Sequence, residues 1–296
     1  MSEIAIRALR GLDEMYPAVA LQRVYWGDDV ESVIPAHMLF SLANYGGHVL
    51  AAFDEDKLVG VLVGFLGTHM KESHRPAMAN LQLVSKRMVV DPAYRSHGIG
   101  YRLKLAQRDM TVQQGIRLVT WTFDPLLATN AHLNLRKLAA ICQEYAENYY
   151  GTSGAGGLAT LGASDRLMVE WWVTNRRVEE RLHGTRGNLT LSQYLEANAP
   201  IVNPAQRGGD GLLRPPQSLN ELAGSFALVE IPLNYPDIMR QDPALAQAWR
   251  MHIRMVMQRL FAENFVVTDF LRDTHEGQDR AFYLFSFNIG FDFRLN

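Results

Sequence analysis

The stretch Met88-Val89-Val90-Asp91-Pro92-Ala93-Tyr94-Arg95-Ser96-His97-Gly98-Ile99-Gly100-Tyr101-Arg102-Leu103 constrains this chain more than any other. An apolar strand end stops at Asp91-Pro92, and the chain then passes through a glycine-hinged loop into a helix. Glycines at 98 and 100 let the backbone bend without a Cβ clash, so successive N–H groups converge on one anion at the positive end of the helix. Each such contact contributes about 0.3–1 kcal/mol when exposed, and several together hold a pyrophosphate. Arg95 adds a planar cationic donor beside them. The stretch has neither the Gly-x-Gly-x-x-Gly of a dinucleotide fold nor the Gly-x-x-x-x-Gly-Lys-Ser/Thr of a P-loop.

The rest of the chain supplies a globular setting for this loop. Its 296 residues, 48% apolar and 20% charged, suit about two domains with sizeable cores. With 29 basic against 31 acidic side chains, no net charge draws it to nucleic acid or an anionic membrane. No apolar run reaches the length of a membrane span, and the N-terminus lacks the pattern of a secretory leader. The single cysteine, Cys142, cannot form an intrachain disulfide, and no zinc-ligand spacing is present. A reducing, cytoplasmic setting without a bound metal is the expectation.

Periodicity predicts a strand over residues 3–8 and a helix capped by Asp13 that leads to Trp26-Gly27. A second helix follows over 35–44, then strands 48–53 and 57–67 joined by the acidic turn Asp54-Glu55-Asp56. A strand over 81–90, a helix over 101–114 and a strand over 116–123 complete the order β-α-α-β-β-β-α-β. Next come a helix over 128–140, strands over 143–149 and 166–174, and between those strands a glycine-rich loop. Residues 184–218, rich in proline and glycine, read as a linker with one short helix at 191–196. Beyond it the pattern is a strand over 226–231, a helix over 243–263 capped by Asp242, and strands over 265–271 and 280–287. Leu245, Trp249, Ile253, Val256 and Leu260 mark that helix's core face, which leaves Arg250, Arg254 and Arg259 on its solvated faces.

Arg95-x-x-Gly98-x-Gly100 after Val90-x-Pro92 resembles the acyl-coenzyme A pyrophosphate loop of the GNAT superfamily of N-acyltransferases. The element order over residues 3 to about 175 is similar to that fold as well. The segments 24–27, 103–108, 121–126, 130–135, 149–151 and 164–166, with Ile231-Pro232 and Trp249-Arg250, resemble a branch of predicted acetyltransferases with a C-terminal extension. The resemblance implies an α+β protein. A GNAT domain with a mixed central sheet flanked by helices would span 1–183, a linker 184–218, and a smaller α+β unit 219–296. It also implies acetyl-CoA or another acyl-CoA as cosubstrate and direct attack of an amine on the thioester, with no metal. Backbone groups of Met88, Val89 and Val90 would then meet the pantetheine arm. The amides of Arg95, Ser96, His97, Gly98, Ile99, Gly100 and Tyr101 would hold the pyrophosphate, with Asn130 a pantetheine contact and Lys137 either a phosphate contact or a solvated lysine.

The acid and base of the family do not carry over. The position of a glutamate base, counted back from Arg95, is Val84, and that of a tyrosine acid is Leu135. Where the branch is expected to place histidines flanking a serine, this chain has Val84-Ser85-Lys86. Candidates for the catalytic role are therefore Asp124, which can equally be a turn residue capping the next helix, and Lys86, a base, a carboxylate clamp or an ordinary strand-edge lysine. His69, Glu72 and His74 line the acceptor site or a surface loop, and Arg166 binds an acidic acceptor or serves as an ion-paired structural arginine. The reading is an N-acyltransferase moving acetyl or succinyl to a small amine, plausibly an amino acid. Its alternatives are a catalytically silent acyl-CoA-binding module, or an acyltransferase for a protein amine whose C-terminal unit binds protein or makes a homodimer.

Overall fold

A computed structural model of the chain describes residues 3–27, 32–68, 76, 80–151 and 164–287. These divide into two compact units, 3–121 with 172–174 in the first, and 122–151, 164–171 and 175–287 in the second. The division falls between Trp121 and Thr122, inside a strand, and not near residue 183. Strands formed by residues beyond 140 pair with strands near the C-terminus, and this draws the middle of the chain into the second unit.

The first unit runs β1 (Ala5–Ala8), α1 (Leu12–Trp26), α2 (Ala36–Asn44), β2 (His48–Asp54), β3 (Lys57–Thr68), β4 (Leu81–Val90), a 3-10 turn (Pro92–Tyr94), α3 (Ile99–Gln113) and β5 (Leu118–Phe123). This is the predicted order. Its strands lie in the order β1-β2-β3-β4-β5, antiparallel up to β4 and parallel from β4 to β5. Strand alternation sends Val49, Ala51, Val61, Val63 and Val89 to a core with Met15, Leu39 and Ala43 of α1 and α2. Leu50, Ala52, Val59 and Leu62 pack instead with Ile99 and Leu103 of α3. Gly60 permits that second contact at close range, since a Cβ there would lie 3.1 Å from Ile99 and 3.2 Å from Leu103.

Two local readings need correction here. Asp13 does not cap α1: Gly11 is the N-cap, and the Glu14 carboxylate accepts the amides of Arg10 and Gly11 at 2.9 Å each. Those two amides, with Arg7 beside them, hold the Glu14 carboxyl at about 2. Helix α3 starts at Ile99, directly after Gly98, and not at Tyr101.

The second unit contains α4 (Ala128–Ala131), which widens into a π-type turn over His132–Lys137, then β6 (Ile141–Ala146), β7 (Arg166–Trp172), α5 (Arg176–Leu182) and α6 (Leu191–Glu196). The short strands β8 (Gln206–Arg207) and β9 (Leu213–Arg214) lead to β10 (Phe226–Ile231), α7 (Tyr235–Gln241), α8 (Pro243–Ala262), β11 (Phe265–His275) and β12 (Gln278–Phe287). The strand order is β7-β6-β11-β12-β10, antiparallel throughout. The strand expected at 143–149 begins two residues earlier and ends at Ala146, because Asn148 turns the chain with a left-handed φ of 45°. Two short helices, α5 and α7, had been missed in the sequence. The helix at 191–196 is present, its start closed by a Thr190–Gln193 capping box.

Helix α8 buries Leu245, Trp249, Ile253, Val256, Met257 and Leu260, as its spacing predicts. Its arginines depart from expectation. Arg250 is 1% exposed and forms a two-pronged pair with Asp124, at 2.8 and 2.7 Å. Arg254 reaches Asp165 at 2.9 and 2.8 Å and also Glu147. Helical spacing shows which face is apolar, but a cation also faces inward when a buried carboxylate awaits it. Arg166, buried 3.9 Å from Asp124, is a structural arginine.

The Asp165 cluster has a consequence at acid pH. Burial pushes its carboxyl up, but Arg254, the Tyr145 hydroxyl at 2.6 Å and the Asn148 amide outweigh it and leave it below the ordinary value. A lowered native value adds stability that is complete above the unfolded value of about 3.9 and is lost as pH falls through the native one. Substituting Arg254→Met is expected to flatten the decline of the urea midpoint as pH falls below about 4. An acid limb as steep as the wild type's would show that the pair does not set it.

Candidate functional site

β4 and β5 pair only at Leu83 with Val119 and at Val84 with Thr120. Beyond those residues the parallel strands part, so the β4 edge from Ser85 to Val90 has no β5 partner. β4 also carries a bulge, since Val63 faces Arg87 while Gly64 faces Ser85, which leaves Lys86 as the extra residue. Met88, Val89 and Val90 stay paired to Leu62, Val61 and Gly60 on the other side. An open parallel edge of this kind presents backbone donors and acceptors to an extended ligand arm.

The loop that follows is held at several points. Asp91 accepts the Ala93 amide and pairs with Lys57 at 3.0 Å, and both interactions hold its carboxyl below the ordinary value. Tyr94 donates to Asp54 at 2.8 Å, so one residue of the acidic hairpin turn serves as an anchor. Arg95 Nε donates to the Val90 carbonyl at 3.3 Å, and its guanidinium lies over the Tyr25 ring. Ser96 (φ 67°) and Gly98 (φ 76°) both take left-handed conformations, the geometry of a backbone anion nest. Gly98 is the N-cap of α3 and offers no side-chain cap, and the first helical bond is Arg102 N to Gly98 O. The amides of Ile99 and Gly100 are thus first-turn donors aimed out of the helix. Ser96, His97 and Gly98 are exposed, and a Cβ on Gly98 would meet nothing within 4 Å.

The structure therefore brings Met88 through Tyr101 together as one strand, nest and helix start. Lys86 lies on the bulge beside them, exposed. Asp124 and Asn130 belong to the second unit. Asp124 is 3% exposed; beyond the Arg250 pair, its Oδ1 accepts the Leu126 amide at 2.9 Å. Both oxygens of Asp124 are thus engaged, as the partner of Arg250 and the cap of the Leu126 amide. Asn130 and Lys137 are exposed, whereas Leu135 is fully buried. His69, Glu72 and His74 lie outside the described residues. Among the described residues no three His, Cys, Asp or Glu side chains gather as a metal site, and no helix is long and apolar enough to cross a membrane.

One polar cluster was not singled out as a site in the sequence. Lys104 of α3 is 2% exposed, and its Nζ donates to Ser85 Oγ at 2.8 Å and Gln107 Oε1 at 3.2 Å. It lies 3.5 Å from the centroid of the Trp121 ring. Burial drives its ammonium well below the usual lysine value. The available signal was a lysine inside Leu103-Lys104-Leu105-Ala106-Gln107, one turn into an amphipathic helix, at a position where sequence spacing does not separate an inward lysine from a solvated one.

A parallel strand pair opened beside a helix-capped anion nest can receive a ligand that joins an extended polar arm to a phosphate group. Residues 13–133 match the family model described as acetyltransferase (GNAT) family, and the chain carries further strands and helices beyond that stretch. Solved structures similar to the chain include the ribosomal-protein-S18-alanine N-acetyltransferase from Escherichia coli, at 14% identity and TM-score 0.44, covering 58% of this chain and 94% of that one. Arabidopsis thaliana NAA60 in complex with acetyl-CoA matches at 14% identity and TM-score 0.45, covering 57% and 99%. An aminoglycoside acetyltransferase, meta-AAC0020, from an uncultured soil metagenomic sample matches at 21% identity and TM-score 0.35, covering 41% and 78%. No curated relative matches the chain in sequence.

Proposed function

We propose that this chain is an acyl-CoA-dependent N-acyltransferase that moves an acetyl or succinyl group to the amine of a small molecule, an amino acid being the favoured class. The observation that carries the reading is the union of an open β4 edge with an adjoining left-handed nest at the start of α3, inside the stretch that matches the GNAT family model. In this reading the nest and the α3 amides bind a pyrophosphate, with Arg95 neutralising charge beside them. The β4 edge around Met88 and Val90 orients an extended pantetheine arm, so that the thioester is held where β4 and β5 part. The amine attacks the thioester carbonyl directly and the thiolate leaves. Lys86 is assigned to the acceptor side, as a carboxylate clamp.

A second reading, an acyl-CoA-binding module without turnover, draws support from the apolar side chains at Val84 and Leu135 and from the engagement of Asp124 by Arg250. Calorimetric titration with coenzyme A, acetyl-CoA and succinyl-CoA, followed by thiol release with a panel of amines, separates the two. Preferred binding of one acyl form with amine-dependent thiol release is the expected result. Tight binding without release establishes the second reading, and absence of binding removes both.

A further inference from the structure

From the placement of Lys104 between the two parting strands, and resting on the acyltransferase reading above, we infer that Lys104 is the proton acceptor of the reaction, reached through the hydroxyl of Ser85. Ser85 is the first β4 residue beyond the last β4–β5 pair, and Trp121 is the first β5 residue beyond it. Lys104 Nζ touches both of them. It therefore occupies the apex of the opening in which the thioester is proposed to lie.

The surroundings suit a lysine that works as a neutral amine. The groups against Nζ are Ser85 of β4, Gln107 of α3 and Trp121 of β5, and none carries a formal charge. Among the described residues no carboxylate pairs with it, although a buried ammonium kept for stability alone ordinarily has one. Burial disfavours the charged form and lowers the proton affinity of Nζ, the direction a lysine base requires. Gln107 is fully buried and its Nε2 has no hydrogen-bond partner. Lys86, by contrast, is exposed and lacks the desolvation a lysine base requires.

The step balances without any further reactant. The amine nitrogen bonds to the thioester carbon, and the C–S bond breaks with its electron pair going to sulfur. The nitrogen proton passes to Ser85 Oγ while the Ser85 hydroxyl proton passes to Lys104 Nζ. Lys104 becomes an ammonium and later returns the proton to the thiolate or to water.

The test has two arms on the full chain. In the first, the 13Cε signal of Lys104 is followed by NMR as a function of pH, assigned by its absence in Lys104→Met. A titration midpoint well below the ordinary lysine value of about 10.4 is expected; a midpoint at or above that value overturns the proposal whether or not turnover is seen. In the second, Lys104→Met and Ser85→Ala are compared with wild type for coenzyme A affinity and for the pH profile of amine-dependent thiol release. Turnover falling by about 100-fold or more with affinity within a few-fold, and loss of the lysine-dependent limb in Lys104→Met, is the expected result. Ser85→Ala, the milder change in bulk, keeps the test interpretable if Lys104→Met does not fold. Wild-type turnover and an unaltered profile in both variants overturn the role of Lys104 alone. A wild type that neither binds nor cleaves a coenzyme A thioester overturns the acyltransferase reading together with it.

Discussion

Gly98→Val is expected to weaken coenzyme A binding by roughly 100-fold while the protein stays folded. Gly98 holds φ at 76°, a region closed to β-branched residues, so valine forces the nest out of shape. Its side chain would also project into the open space where nothing lies within 4 Å of a Cβ. Three nest and helix-start amides at the upper end of about 0.3–1 kcal/mol each amount to a weakening of roughly 100-fold. The strain itself costs about 1–3 kcal/mol of stability, within reach of a domain this size. Titration calorimetry of the variant, with thermal unfolding as a control, reads both effects. Wild-type affinity in a folded Gly98→Val protein would remove the anion site from this loop.

The second large effect concerns stability. Asp124 and Arg250 are 3% and 1% exposed and joined by two hydrogen bonds, and burial that alone would push the Arg250 guanidinium down is outweighed by Asp124, which holds it above its usual value. Removing one partner strands the other as a buried unpaired charge, at about 3–5 kcal/mol. Asp124→Asn is expected to lower the urea midpoint accordingly. The double substitution Asp124→Leu with Arg250→Met is expected to recover most of the loss, since apolar replacement of a buried pair is often neutral. A loss below about 1 kcal/mol for Asp124→Asn, with turnover collapsing instead, would return Asp124 to the role of base.

The two cases show which parts of this protein are legible in its sequence. The nest was readable because it is local: a strand end, an Asp-Pro stop and two glycines within a few residues leave little choice of conformation. The order of elements in the first unit was readable for the same reason, since each strand and helix declares itself by its own period. The Asp124–Arg250 pair joins residues far apart in the chain, and nothing near either of them announces the other. Arg250 on α8 reads as a solvated cation because helical spacing locates an apolar stripe but does not say when a long polar side chain turns under it, and the same limit leaves Lys104 on α3 without a distinguishing signal. The displaced β6 and the π-type turn before it are departures of two or three residues, set by packing and by a left-handed Asn148.

The discontinuity of the second unit bears on how the chain is made. As synthesis proceeds, the strands β1 to β4 and helix α3 leave the ribosome with their partners already present. β6 emerges long before β11, its neighbour in the sheet, and Asp124 long before Arg250. Until residues 226–287 have followed, the nascent chain carries a bare strand edge and an Asp124 carboxylate without its two-pronged partner. A ribosome stalled or a gene truncated after residue 185 would therefore yield a sticky intermediate in place of a smaller enzyme.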